Sequence, residues 1–179
     1  MYWEQLFEKY CAGNSLLKEL LVLHSTSVAQ KALQIVENHP ELGADADFVE
    51  EAAMLHDIGV VLTDAPAIHC YGEHKYICHG YLGADILRKE GLDVYALVCE
   101  RHTGAGISAQ QIAEQGLPLP ADREYMPQTI EEKIVCFADK FFSKTSPQKE
   151  KSVEQAEKSL AKFGTEGVER FREWCKLFL

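Results

Sequence analysis

The amino-acid sequence predicts an all-α protein that forms a single domain. Apolar residues recur at helical spacing in almost every segment, and residues that cap helices precede several of these segments. No stretch shows the alternation of apolar and polar residues that a half-buried strand would have. The length of 179 residues favours one domain with its own hydrophobic core. We predict a main body over residues 1–147 and a C-terminal helical extension over residues 148–179, packed on the same domain.

The first long helix is predicted to begin at Asn14 or Ser15, either of which can cap it, and to end near Pro40. One histidine, His24, lies on its apolar face. That face comprises Leu16, Leu17, Leu20, Leu21, Leu23, His24, Val28, Ala32, Leu33, Ile35 and Val36.

The next predicted helix ends in an adjacent histidine and aspartate, His56 and Asp57. Asp47 and Glu50 form a capping-box pattern at its start, and Gly59 is predicted to stop it. The pair therefore occupies a helix terminus, where the backbone can bend to aim both side chains.

The remainder of the chain is also predicted to be helical, apart from residues 60–77. Those residues have no helical period and predict an irregular connection of the kind that covers a site. Thr129 and Glu132 form a second capping-box pattern, before the helix that carries Asp139. Further helices are predicted at about 79–89, 93–102 and 108–115, and on both sides of Gly164 in the tail. The packing residues of the tail are predicted to be Leu160, Phe163, Val168, Phe171, Trp174 and Leu177.

The composition excludes several classes of function. A net charge of −10 argues against broad binding of a nucleic-acid backbone, although a local basic pocket for one phosphorylated ligand is compatible with it. The sequence has no apolar run of about 18 residues and no secretory leader, so we expect a cytoplasmic protein that does not cross a membrane. The six cysteines have no paired spacing, which favours reduced thiols over disulfides, and we read none of them as a metal ligand.

The pair His56-Asp57 carries the chemistry of metal binding. An imidazole and a carboxylate on consecutive residues can reach one divalent cation, and a carboxylate can also bridge two. Three further histidines, His24, His79 and His102, lie on or at the end of predicted helices. Each of them, taken alone, could equally be a histidine of the core or one that contacts backbone carbonyls at a helix end.

Asp139 is predicted to lie on or beside the apolar face formed by Val135, Ala138 and Phe142. A buried carboxylate without a partner costs several kcal/mol. Lys140 points about 100° away on a helix, so a cation is the predicted partner of Asp139.

The order H…HD…H…H…D resembles that of the HD superfamily of metal-dependent phosphohydrolases, in the branch with a second metal site. The segment His56-Asp57-Ile58-Gly59 matches the motif of that family, and the resemblance extends from His24 to Phe142. It implies that residues 1–147 form an HD-domain helical bundle. It also implies two ligand sets that share Asp57: His24, His56, Asp57 and Asp139 for the first metal, and Asp57, His79 and His102 for the second.

The resemblance implies that a hydroxide between two divalent cations attacks phosphorus, so that a phosphoester or phosphoanhydride of a small molecule is cleaved. Nucleotides are the leading substrate class, and a dinucleoside polyphosphate is among the candidates. Imidazole and carboxylate ligands favour iron or manganese, with nickel, zinc or magnesium possible. Asp57, Lys140 and Arg101 are the predicted catalytic residues, and Lys144, Lys75, His74 and His69 the predicted substrate contacts. These lysines could instead be solvated surface charges, and a loop histidine is often simply exposed.

The chain has Thr103-Gly104-Ala105-Gly106 where cyclic-di-GMP phosphodiesterases of the HD type have Gly-Tyr-Pro, which disfavours that substrate.

Two other classes of function remain open on the sequence alone. Mixed-valent di-iron oxygenases have the same ligand order, and a metal-stabilised interaction protein could use the acidic tail helices. The oligomeric state is not encoded in any pattern that we identify.

Overall fold

The computed structural model describes residues 1–179 without a gap and confirms the all-α class. It contains nine α-helices, several short 3-10 helices and one antiparallel pair of two-residue strands. The helices are α1 (Tyr2–Tyr10), α2 (Ser15–Asn38), α3 (Ala46–Leu55), α4 (His79–Lys89), α5 (Asp93–Arg101), α6 (Ala109–Gln115), α7 (Ile130–Asp139), α8 (Val153–Leu160) and α9 (Thr165–Phe178). The strands are β1 (Asp64–Ala65) and β2 (Cys70–Tyr71). None of the helices has the length and apolar character that crossing a membrane requires.

Of three helix starts predicted from the sequence, that of α2 is confirmed, that of α3 is wrong, and that of α7 is confirmed only in its Thr129 cap. The Asn14 side chain accepts a hydrogen bond from the Leu17 backbone N–H and caps α2, as predicted. The predicted capping box of α3 is wrong, because Asp45 occupies the cap and accepts from the backbone N–H of Phe48. Asp45 has the extended backbone that a cap needs, whereas Asp47 lies in the first helical turn.

The Thr129 cap of α7 is present, but it is not a reciprocal capping box. Thr129 Oγ1 accepts from the backbone N–H of Glu132. The Glu132 carboxylate accepts instead from the backbone N–H of Gln128 and from Arg101. The carboxylate thus ties the start of α7 to the end of α5.

Gly59 does not cap α3, which ends at Leu55. It lies in the 3-10 helix Ile58–Leu62, where a Cβ atom would stand 2.1 Å from the His79 carbonyl oxygen and 2.3 Å from the Gly83 nitrogen. Only glycine permits this approach of two backbones. The contact holds the end of α3 against the start of α4 and so brings two groups of candidate ligands together.

The connection over residues 60–77 is more ordered than the sequence predicts. A small ladder pairs Asp64 with Tyr71 and Ala65 with Cys70, and short 3-10 helices stand on both sides of it. Strands of two residues are too short to produce a recognisable alternation in the sequence.

Two large apolar clusters and a small one, of Ile107, Leu119 and Tyr125, form the core, and α2 contributes to both large clusters. One cluster lies among α2, α3, α7 and the C-terminal helices. The other lies among α1, α2, α4 and α5. Phe163 and Leu177 were predicted to pack in the tail but are 65% and 41% exposed, because they face away from the first cluster. The buried tail residues are Ala156, Leu160, Phe171, Trp174 and Phe178.

Replacing Gly59 with alanine should lower the free energy of unfolding by about 3 kcal/mol, because the added methyl group overlaps the backbone of α4. Urea unfolding followed by circular dichroism measures the loss. The control is Gly167→Ala, where the new Cβ would meet only the Ala105 Cβ, at 4.0 Å. That variant should change stability by less than about 1 kcal/mol, and equal effects of the two substitutions would contradict the packing argument.

Candidate metal centre

The six candidate ligands converge in the interior, although they come from five helices or helix ends. His56 and Asp57 follow the end of α3, His79 begins α4, and His102 follows α5. The other two are His24, in the middle of α2, and Asp139, the last residue of α7. The ligand atoms form two groups, within each of which every atom lies within 4.8 Å of the others: His24, His56, Asp57 and Asp139, and Asp57, His79 and His102.

Asp57 is fully buried and presents one carboxylate oxygen to each group. Its Oδ2 lies 3.1 Å from His24 Nε2 and 3.0 Å from His56 Nε2. Its Oδ1 lies 3.5 Å from His79 Nε2 and 3.4 Å from His102 Nε2. A carboxylate placed between two sets of ligand atoms has the geometry of a bridge between two cations.

The first group is completed by Asp139. Its Oδ1 lies 3.1 Å from His24 Nε2 and 3.5 Å from His56 Nε2. These separations leave a compact arrangement of two carboxylates and two imidazoles, which are ligands that divalent transition metals accept.

Three of the imidazoles are oriented by the same backbone contact. Nδ1 of His56, His79 and His102 lies 2.6 to 2.7 Å from the carbonyl oxygen three residues earlier in each case. A ring that donates its Nδ1–H to a carbonyl has its lone pair on Nε2, the atom that a metal binds. Contacts with backbone carbonyls were the alternative, purely structural role of these histidines. The same contacts also orient the rings so that Nε2 can bind a metal.

The polar atoms of the centre are poorly satisfied by the protein alone. His56 Nε2 and Asp57 Oδ1 are buried and have no hydrogen-bond partner. The Nε2 atoms of His79 and His102 are only 3.0 Å apart, although both would carry lone pairs in the tautomer described above. Buried polar atoms without a partner cost about 1–3 kcal/mol each. Divalent cations would supply the missing partners, so the donor set fits a metal site.

The two carboxylates and the histidines of the second group, His79 and His102, have the protonation states that metal ligands need. Burial would raise the pKa of Asp57, but the charges of His56 and Lys144 hold it well below its usual range. Burial and the neighbouring His102 lower the pKa of His79 to about 3, so its imidazole is neutral. Burial would lower the pKa of His56, but the charge of Asp57 raises it to about 9. A cation would take the place of that proton.

Two lysines pair with the carboxylates. Lys140 Nζ lies 2.8 Å from Asp139 Oδ2, and Lys144 Nζ lies 2.6 Å from Asp57 Oδ2. The expectation that Lys140 would point away from Asp139 is wrong, because its flexible four-carbon side chain curls back at the end of α7. Asp139 therefore has a protein partner as well as a place among the metal ligands.

A cavity of about 740 Å³ opens on this centre. Three candidate ligands, His79, His102 and Asp139, line it together with Lys140 and Lys144. The other candidate ligands lie deeper, behind this surface. The cavity is thus a space in which a ligand could reach both the metal positions and the lysines.

Two further lining residues were not identified from the sequence. Lys151 has no ion-pair partner, and its pKa is lowered by burial and by the charges of Lys140 and Lys144. The Tyr76 ring stacks on the His79 ring, with centroids 4.7 Å apart. Neither stands in a motif, and only the packing of the tail and of the connection over the centre brings them to it.

Four predicted functional residues are not part of the cavity. Arg101 pairs with Glu132 at 2.9 Å, so its guanidinium belongs to the contact between α5 and α7. His74 and Lys75 are exposed on the connection. His69 adopts a left-handed backbone conformation with φ of 60°, and its carbonyl oxygen accepts from Asn14. The neighbours of these residues, Ile68 and Tyr76, face the cavity instead.

Comparison with known proteins gives one family match. The family model described as HD domain matches residues 21–143, which is more than half of the chain and includes all six candidate ligands. No solved structure matches the chain.

Three relatives each match 70% of the chain. Two are named tRNA (cytidine(56)-2'-O)-methyltransferase, from Thermoplasma volcanium and Picrophilus torridus, and each is 36% identical over 126 residues. That similarity covers 70% of this chain and only 32% of each methyltransferase. Uncharacterized protein MJ0778 of Methanocaldococcus jannaschii is 38% identical over 128 residues, covering 70% of this chain and 68% of that protein. The chain therefore matches about a third of the length of the two methyltransferases.

Protein loaded with manganese or iron and then desalted should retain two metal equivalents per chain, as measured by elemental analysis. The variant His102→Gln should retain one, because it removes a ligand from the second group only. The variant Asp57→Asn should retain fewer than one, because both groups share that carboxylate. His39→Gln is the control, since His39 contacts Glu41 on the surface. Two equivalents in His102→Gln would contradict the assignment of the second group.

Proposed function

The chain belongs to the HD domain family, and we propose on that premise that it is a metal-dependent hydrolase acting on a phosphoester or phosphoanhydride of a small molecule. The observation that carries the proposal is the position of the ligand cluster beside three lysines in one cavity. Cations held by these ligands would activate water, and the ammonium groups of the lysines would bind an anion.

The proposed roles of the ligands follow from their positions. His24, His56 and Asp139 would hold one cation, His79 and His102 the other, and Asp57 would bridge them. Two divalent cations, when bound, lower the pKa of water and neutralise charge that develops on phosphoryl oxygens. We propose that the cations are iron or manganese, since imidazole and carboxylate ligands suit both metals.

The lysines support an anionic substrate. The chain carries a net charge of −10, yet Lys140, Lys144 and Lys151 all line the cavity. Lys140 and Lys144 neutralise Asp139 and Asp57 in the structure described here. Once these carboxylates ligate cations, both ammonium groups can donate to phosphoryl oxygens instead. Lys151 has no such partner to leave.

The activity named for the two methyltransferase relatives is not extended to this chain. The match covers only 32% of each methyltransferase, so most of each methyltransferase lies outside the matched segment. An overall charge of −10 also opposes binding to an RNA backbone. Nucleotides, as small phosphorylated molecules, remain the substrate class predicted from the sequence.

A panel of phosphomonoesters, phosphodiesters and nucleotides should reveal release of phosphate or alcohol by protein supplemented with manganese or iron. The variant Asp57→Asn should lower kcat/KM by more than about 100-fold, since even outer partners of metal ligands are worth about 10–100-fold. Circular dichroism checks that the variant folds, and His39→Gln is the matched surface control. Oxygen consumption with a polyol or a phosphonate, without phosphate release from any ester, would instead favour the di-iron oxygenase class.

Replacing Lys151 with methionine should raise KM about tenfold and leave kcat nearly unchanged. The substitution removes one charge-assisted hydrogen bond, worth about 1.5–3 kcal/mol, but no metal ligand. Lys158→Met is the control, because Lys158 is exposed on α8 and does not line the cavity. An unchanged KM in Lys151→Met would remove this lysine from the substrate site.

A further inference from the structure

The cavity has two chemically different ends, and we propose that it binds phosphate esters whose organic group is apolar in preference to nucleotides. This inference rests on the proposed phosphohydrolase function and specifies its substrate class. Its basis is the contrast between a charged end at the metal centre and a far wall that has no charged side chain and is mostly apolar.

All charged side chains that line the cavity belong to the metal centre or to the lysines beside it. They are Asp139, Lys140, Lys144 and Lys151, and the imidazoles of His79 and His102 line the same end. A phosphoryl group would be drawn to this end, and the remainder of the ligand would have to occupy the rest of the cavity.

The far wall is built by α6 with the residues around it, and by the segment from α8 to the start of α9. The two parts meet where the Gln115 side chain donates to the Phe163 carbonyl oxygen. The apolar side chains on this wall and beside it are Ile77, Ile107, Leu117, Ala156, Leu160 and Phe163. They present hydrocarbon to the part of the cavity that a phosphoryl group would leave unfilled.

Three polar side chains lie on the far wall, and each has one atom that bonds to the protein. Gln111 Oε1 accepts from the Ser108 backbone N–H at 3.0 Å, within the capping box of α6. Ser159 donates to the Gln155 carbonyl in its own helix, and Gln115 is held by Phe163. A nucleobase or a ribose has donors and acceptors that need partners when buried, and a pocket specific for it supplies unpaired polar groups. This wall has no charged side chain, and each of its three polar side chains already has one hydrogen-bonding atom engaged within the protein.

The size of the cavity and the exposure of one aromatic ring support an organic group of some length. The cavity volume of about 740 Å³ lies within the range of pockets that bind drug-sized ligands, and it exceeds the volume that phosphate alone fills. The Phe163 side chain is 65% exposed although it lines the cavity. An apolar group in the cavity would cover part of this ring and remove it from water.

Binding of alkylphosphonates to the metal-loaded protein tests the inference without turnover. Isothermal titration should give hexylphosphonate at least about tenfold tighter binding than methylphosphonate, since a fully buried methylene group is worth a factor of about four. Adenosine monophosphate should bind more weakly than hexylphosphonate. Affinity that does not depend on chain length, or tighter binding of the nucleotide, would overturn the proposal.

Two variants locate the effect on the far wall. Phe163→Ala should weaken hexylphosphonate binding about threefold to tenfold and leave methylphosphonate binding unchanged. Val94→Ala is the control, because Val94 is 59% exposed and lies outside the cavity. Gly167→Leu should weaken the long ligand selectively, because position 167 lines the cavity and has room for a Cβ atom. Equal effects on both ligands in both variants would contradict the placement of the organic group.

Hydrolysis assays separate failure of this inference from failure of the proposed function. Faster cleavage of adenosine monophosphate than of hexyl phosphate would overturn the inference and leave the phosphohydrolase proposal intact. Length-dependent binding of phosphonates without cleavage of any phosphate ester would contradict the phosphohydrolase proposal, while the preference of the cavity for apolar groups would stand.

Discussion

The buried carboxylate of Asp57 is the constraint on which the arrangement of the centre depends. It is fully removed from water, and its two oxygens face two separate groups of imidazoles. An ionised carboxylate in such a place must be compensated by positive charge. The protein alone offers Lys144 and the proton on His56. Helices α2, α3, α4 and α5 each direct an imidazole at the same carboxylate, so the core of the bundle is organised around a site of concentrated charge.

The helix ends solve the problem of aiming these side chains. His56, His79 and His102 each contact the carbonyl oxygen three residues earlier, which fixes the ring and leaves Nε2 to point inward. Such contacts are available where a helical turn ends, since the last carbonyl groups lack some of their helical partners. His56, His79 and His102 follow the ends of α3, of the 3-10 helix Tyr76–Cys78 and of α5. The approach of Gly59 to the backbone of α4 then sets the spacing between the two groups. Local backbone geometry and one tight helix contact thus account for most of the geometry of the centre.

The all-α fold could be predicted from the sequence because long periodic helices leave strong patterns. Of the candidate ligands, only the adjacent pair His56-Asp57 forms a local pattern, and the full set was implied by the resemblance to the HD superfamily. Other features depended on geometry that the sequence does not encode locally. The capping role of Asp45 rather than Asp47 is decided by one residue's backbone conformation. The pairing of Lys140 with Asp139 depends on the flexibility of the side chain at a helix end. Lys151 lies outside every motif, and only the packing of the tail against the centre brings it to the cavity.

On the proposed function, the lysines would connect metal binding with substrate binding. In the structure described here, Lys140 and Lys144 compensate the same carboxylates that cations would ligate. A lysine that neutralises a carboxylate has little charge to offer an anion, and cations that take over the carboxylate restore it. On the proposed function, the affinity of the cavity for phosphate would therefore depend on the occupancy of the metal centre, beyond any direct contact between cation and phosphate. By reciprocity, an anion that engages the released ammonium groups stabilises bound metal by the same free energy. A net charge of −10 and a cavity lined by three lysines are compatible on this proposal, because metal binding would make the lysine charge available only inside the cavity.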